Sequence, residues 1–240
     1  MKCKRCGEER KLVKAHIVPR SFYMDLRAGD EYLNVVPANP TERIAISRIG
    51  DYDQSILCHE CDQFLGVFDD YGKSVLLDGE NEQTEISNAG VVAGWEISKF
   101  NASKLEKFVL SVLWRASITN RPFFQRVSLG PYETELQNHI WSEENHNPVF
   151  GCVVAKFTRS TKAVDAEKTM LTPHRFRYEG INYYSLYMGG YVFWIRVDQR
   201  RSKGLLAKIE VSSERNLIIV SRDFDESKEF KAMFKAANAH

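Results

Sequence analysis

Cys3-Lys4-Arg5-Cys6 opens the chain, Cys58-His59-Glu60-Cys61 lies well downstream, and between them runs Lys14-Ala15-His16-Ile17-Val18-Pro19-Arg20. Two cysteines separated by two residues let both sulfurs meet one tetrahedral ion, and a second such pair completes the coordination. Cys3, Cys6, Cys58 and Cys61 are therefore the expected ligands of a structural Zn²⁺. The 51 residues between the pairs exceed the usual spacing of a zinc ribbon, so an insertion is held in place by the metal.

Residues 11–18 read as a short strand that Pro19 stops by removing a backbone donor. Residues 53–57 read as a second strand running into the second cysteine pair. From 58 to about 72, Phe64, Leu65, Phe68 and Tyr71 recur at helical spacing. The unit is thus knuckle, strand with histidine, loop, strand, knuckle and helix. Within it, residues 30–50 carry Val35-Val36 and Ile44-Ala45-Ile46 among Pro37, Pro40 and Gly50, the pattern of a hairpin-like insertion.

These residues resemble the His-Asn-His (HNH) nucleases of the ββα-metal class. Cys-braced members read Cys-x-x-Cys, then Asp/Ala-His-Ile-x-Pro, then Asn-Leu-x-x-Leu-Cys-x-x-Cys-His/Asn. Ala15-His16-Ile17-Val18-Pro19 matches the second element and Ile56-Leu57-Cys58-x-x-Cys61 the third, over about 70 residues. The resemblance implies that His16 is a general base and that Asp53, at the position of the middle Asn, orients it. It places Asp62, directly after Cys61, where the last His or Asn binds a catalytic ion. Ala15 departs from the acidic residue that many members carry before the base. Asp at the other two positions suits a hard ion such as Mg²⁺ or Mn²⁺. A second acid from Glu60, Asp69 or Asp70 would then complete the ion's ligands.

The chain of 240 residues has 43% hydrophobic residues, enough for a packed core. Its net charge of +1 excludes a global attraction to nucleic acid, so DNA contacts must come from a local basic surface. Residues 1–20 are that surface: Lys2, Lys4, Arg5, Arg10, Lys11, Lys14 and Arg20 face only Glu8 and Glu9. Arg5, Lys14 and Arg20 are the expected nucleic-acid contacts, with the Arg20 fork as phosphate clamp. No apolar run reaches a membrane-spanning length, and four of five cysteines sit in metal-style pairs, which suits a reducing cytoplasm. Cys152 reads as a core thiol.

The expected organisation is a zinc-braced ββα-metal (HNH-like) domain over 1–77, a linker over 78–101 and a second α+β domain over 102–240. The clearest helix spans 103–120, with Ser103 as N-cap, Glu106 completing a capping box, and Leu105, Phe108, Val109, Val112 and Leu113 on its apolar face. Arg115 on its flank reads as a surface charge or as an anchor between domains. Another helix is expected over 131–142. Beyond residue 148 the period changes to that of strands, at 149–157, 169–171, 183–188, 191–197, 207–211 and 217–220, with Gly189-Gly190 turning a hairpin. The apolar stripe Phe230, Met233 and Phe234 closes the chain. The fold class is α+β, the second domain an antiparallel sheet with helices against it.

Three function readings follow. One is a metal-dependent DNA endonuclease. The second is a catalytically degenerate zinc module that binds nucleic acid or a protein partner. The third, compatible with the first, is a subunit of a larger bacterial or phage-related assembly, in which the second domain docks a partner or a second copy.

Overall fold

The computed structural model describes residues 1–24, 33–36, 45–47, 52–79, 82–144, 147–158 and 169–231. Strand β1 (Ala15–His16) and helix α1 (Ser21–Met24) precede a hairpin of β2 (Leu33–Val36) and β3 (Ala45–Ser47). Strand β4 (Tyr52–Asp53) returns to pair antiparallel with β1, and helix α2 (His59–Leu76) follows. The two strands of this unit are shorter than expected, because backbone bonds around the knuckles take over from the ladder. Val13 N–H donates to Leu57 O, Lys4 N–H donates to Ile56 O, and Leu12 bridges Cys58.

Residues 78–101, expected as a linker, instead carry β5 (Gln83–Asn88) and β6 (Val91–Ile97). Their acidic, turn-rich start masked a hairpin that forms the edge of the main sheet. Helix α3 (Ala102–Ile118) begins earlier than expected. The Asn101 side chain accepts the Lys104 N–H as the true N-cap, and Glu106, read as a capping partner, is buried. A 3-10 turn at Pro122–Phe124 leads to α4 (Tyr132–Trp141).

The second half supplies β7 (Phe150–Thr158), β8 (Thr169–Leu171), β9 (His174–Tyr178), β10 (Ile181–Met188), β11 (Tyr191–Val197), α5 (Gly204–Ile209) and β12 (Leu217–Asp223). Residues 207–211 were expected as a strand; α5 forms at 204–209 instead, with Leu206 buried and Ile209, three residues on and on the same helical face, packed beside it. Seven strands make one sheet in the order β5-β6-β12-β7-β11-β10-β9. It is antiparallel except between β7 and β12, which run parallel, a departure from the expected antiparallel sheet. Gly189 and Gly190 have φ of 58° and 76°, the two positive values that a two-residue hairpin turn requires between Met188 and Tyr191. Strand β8 pairs in parallel with β2, so the insertion in the first unit reaches the second half. Met233 and Phe234 lie outside the described residues.

The expected separation of 1–77 from 102–240 is not reflected in the packing. Ile17, Val18, Phe22, Ile56, Leu57, Leu65 and Val75 bury in the same core as α3 and the inner sheet residues Val154, Leu186, Phe193 and Ile195. Helix α3 is buried on nearly every side, and α2 lies against it. A Cβ on Gly72 would stand 2.4 Å from the Phe108 ring, so only glycine lets the two helices approach this closely. Among the described residues, no helix is long and apolar enough to cross a membrane.

Candidate metal centre and adjoining polar site

The four cysteines of the two knuckles converge. Their Sγ atoms all lie within 4.8 Å of one another, close to the edge of about 3.8 Å that a tetrahedron with Zn–S bonds of ~2.3 Å requires. Local turns produce this. Gly7, at φ +73°, donates its N–H to Cys3 O and closes the first knuckle. Cys58 is the N-cap of α2, and the Asp62 N–H donates to Cys58 O, so the second pair sits on the first helical turn. The Cys58 N–H donates to Cys3 Sγ at 3.4 Å. Burial pushes the Cys3 thiol up, but the N–H groups of Cys6, Cys58 and Arg5 outweigh it and bring it down to about 7. Four sulfurs this close together can hold a metal ion such as zinc. Cys152 is a buried core thiol, as expected.

His16 lies in β1, opposite Tyr52 of β4, with the two ring centroids 6.3 Å apart. It is half-buried. Burial lowers its pKa below the ordinary 6.5, the charges of Arg115 and Arg20 lower it further, and Asp69 opposes them. These surroundings favour the neutral imidazole, the form a general base needs. Lys14, two residues earlier, holds its Nζ 5.3 Å over the Tyr52 ring, on the face that His16 uses. Arg20 is exposed and near enough to act on His16 electrostatically.

Asp53 does not meet its expectation as the residue that orients His16. Ala15 pairs with Asp53 and His16 with Tyr52, and cross-strand partners share a face, so Asp53 and His16 point to opposite sides of the ladder. Both Asp53 oxygens are engaged elsewhere. Oδ1 accepts from the Ser55 N–H at 2.8 Å and from Ser55 Oγ at 2.6 Å, and Oδ2 accepts from Thr119 Oγ1 at 2.6 Å. Burial raises its pKa, and these donors, Ser55 first and Thr119 next, reverse the shift and hold it below the ordinary value. Asp53 is a stitch between β4 and the end of α3.

Asp62 is half-buried on the first turn of α2, and its carboxylate makes no hydrogen bond among the described residues. Burial raises its pKa; Arg115 opposes that, Asp69 adds to it, and His59 opposes it again. The candidate second acids are already engaged or remote. Asp69 forms a two-bond pair with Arg115, Glu60 pairs with Arg10 at 2.7 Å, and Asp70 is exposed. Among the described residues, the four cysteines are the group of three or more His, Cys, Asp or Glu whose ligand atoms converge; His16, Asp62 and Asp69 form no second one. Arg5, expected at a nucleic-acid interface, lays its guanidinium 4.8 Å over the Trp141 ring, and its Nε is buried without a hydrogen-bond partner among the described residues.

The residues that sequence reasoning underrated are Arg115, Tyr52 and Thr119. Arg115 had a visible signal, a lone arginine within the apolar run Val112-Leu113-Trp114-Arg115-Ala116. Tyr52 and Thr119 had none, since their importance depends on strand register and on the place where α3 ends. No protein-family model matches the chain, and neither does any curated protein or solved structure. The site's chemistry rests on these residues alone.

Proposed function

We propose that the chain is a metal-dependent endonuclease of the HNH type that hydrolyses phosphodiester bonds in DNA, with His16 as general base. The supporting observation is a half-buried imidazole, in surroundings that favour its neutral form, on a strand-strand-helix unit beside four converging cysteines, whose helix opens with an Asp62 carboxylate that makes no hydrogen bond among the described residues. In this reading Cys3, Cys6, Cys58 and Cys61 hold a structural Zn²⁺ with no open position. His16 takes the proton from the attacking water. Lys14 and Arg20 dock the phosphates on either side of the scissile bond. Asp62 holds Mg²⁺ or Mn²⁺, hard ions that bind through one or two carboxylates, retained waters and substrate phosphate oxygens. Such an ion, when bound, supplies positive charge to the leaving oxygen. The four Cys₄ thiolates need a reducing compartment, which favours the cytoplasm. The test is nicking of supercoiled plasmid with Mg²⁺, Mn²⁺ or Ni²⁺, in wild type and His16→Ala.

A second reading has its own observations. Ala15 supplies no acid, Asp53 faces away from His16, and Asp69 is neutralised by Arg115. These favour a zinc module that binds nucleic acid or a protein partner without cutting, residues 102–240 docking that partner or a second copy. Shifted DNA in a mobility assay with no nicked product under any of the three ions would select it.

A further inference from the structure

We propose that Arg115 is the positioning residue of the His16 site, acting from the buried face of α3 to fix where the imidazole stands and which charges surround it. This rests on the reading of His16 as a general base. Arg115 is 1% exposed, and its five N–H donors have five acceptors. Nη1 donates to His16 O at 2.9 Å and to Asp69 Oδ2 at 2.8 Å. Nη2 donates to Asp69 Oδ1 at 2.6 Å and to Ser111 Oγ at 3.3 Å, and Nε donates to Ser111 O at 3.3 Å. No donor remains for a phosphate, so Arg115 does not bind substrate. It joins three elements instead: the backbone of the candidate base on β1, a carboxylate on α2, and its own helix.

The surroundings of that contact support a positioning role. The last turn of α3 receives the zinc unit twice more, Lys4 Nζ donating to Ile118 O at 2.5 Å and Thr119 Oγ1 donating to Asp53. The knuckle, β1, β4 and α2 are all placed from residues 115–119. The guanidinium is planar and forked, so it can hold the Asp69 carboxylate through two bonds while keeping a third for the His16 carbonyl; a lysine in the same place cannot.

The charged and titratable groups facing His16 are Lys14 on its own strand side, Tyr52 on β4, Arg20 after Pro19, Asp69 on α2 and Arg115 on α3. Arg115 lowers the His16 pKa and Asp69 raises it. Removing each should therefore move His16 in opposite directions, which a merely structural contact would not do.

The experiment follows the His16 ring carbon signal by NMR against pH in the zinc-loaded full chain. Arg115→Gln is expected to move the titration midpoint up and Asp69→Asn to move it down. Arg115→Lys keeps the charge and loses the fork, and should lower kcat for nicking on the order of 10²-fold with KM nearly unchanged, the scale of loss from a small misplacement of a reacting group. If Arg115→Gln fails to fold, the downward shift in Asp69→Asn together with the Arg115→Lys kinetics decides. Folded variants whose His16 titrates as in wild type would overturn the proposal. A wild-type protein that never nicks DNA would overturn the nuclease reading instead, while the titrations would still decide whether Arg115 governs His16.

Discussion

Arg115 and Asp69, 46 residues apart in sequence, face each other through two parallel bonds, Nη1 to Oδ2 at 2.8 Å and Nη2 to Oδ1 at 2.6 Å. The pair is nearly enclosed, with the arginine side chain 2% and the aspartate side chain 16% exposed. Breaking one partner of such a pair leaves an uncompensated charge. The pairing ties the four-cysteine unit to α3 and engages a carboxylate that would otherwise be free to share an ion with Asp62.

Residues 1–77 alone, with zinc supplied, should therefore not fold. Ile17, Val18, Phe22, Leu57, Leu65 and Val75 lose the surface they bury against, and Asp69 loses its guanidinium. A collapsed amide NMR spectrum is the expected result. A well-dispersed one would show that the metal and local contacts suffice.

Zinc should add to stability through the knuckles. Cys58 is buried at the N-cap position of α2, where its side chain makes no capping bond, and gives its N–H to Cys3 Sγ, so Cys58→Ser removes a ligand while leaving a residue that suits a helix start. A loss of at least ~3 kcal/mol is expected from the metal's share of folding energy. For a chain of this size that is roughly 6–12 °C in Tm. Metal analysis should give one zinc per wild-type chain, and a chelator should reproduce the melting shift of the variant. Zinc-free purified protein with an unchanged melting curve would contradict this.

Gly72→Ala should destabilise, although alanine is the better helix former by about 1 kcal/mol. The new methyl would fall 2.4 Å from the Phe108 ring. That ring cannot move aside, since it stacks on Phe22 at 5.3 Å and meets Phe193 edge-on at 6.4 Å. Overpacking of this kind costs about 1–3 kcal/mol, and thermal melting reads it. An unchanged or raised Tm would show that α2 and α3 can separate without loss.

The first half of the site was legible in the sequence and the second was not, for a physical reason. Cys-x-x-Cys spacing and the 3.6-residue period of Phe64, Leu65, Phe68 and Tyr71 are local signals, and the Cys₄ cluster and α2 followed from them. The face on which Asp53 points is not local. It depends on the pairing of Ala15 with Asp53, and a shift of one residue would have reversed it. The hairpin at 83–97 was hidden by polar residues because β5 is an exposed edge strand, where alternation of apolar side chains is weak. The strand expected at 207–211 overlaps a helix at 204–209, because so short a segment does not separate the two periods.

Stability should also report on His16. Its folded-state pKa lies below the unfolded value of 6.5, so the unfolded chain takes up the proton first as pH falls. The contribution of the neutral ring is thus complete above 6.5 and is lost as pH drops from there toward the folded-state value. Wild-type Tm should fall over this window more steeply than that of His16→Gln. Identical pH slopes for the two would show that the ring is not held in its neutral form by the fold.

The most direct test of the account is the rate of plasmid nicking by His16→Ala, measured beside wild type with Mn²⁺ or Mg²⁺, with zinc content and Tm determined on the same samples. A general base contributes typically 10²–10⁴-fold. Metal-dependent nicking by wild type is expected, with a loss of that order in His16→Ala and zinc content unchanged. Wild-type rates in the zinc-loaded His16→Ala protein would contradict it.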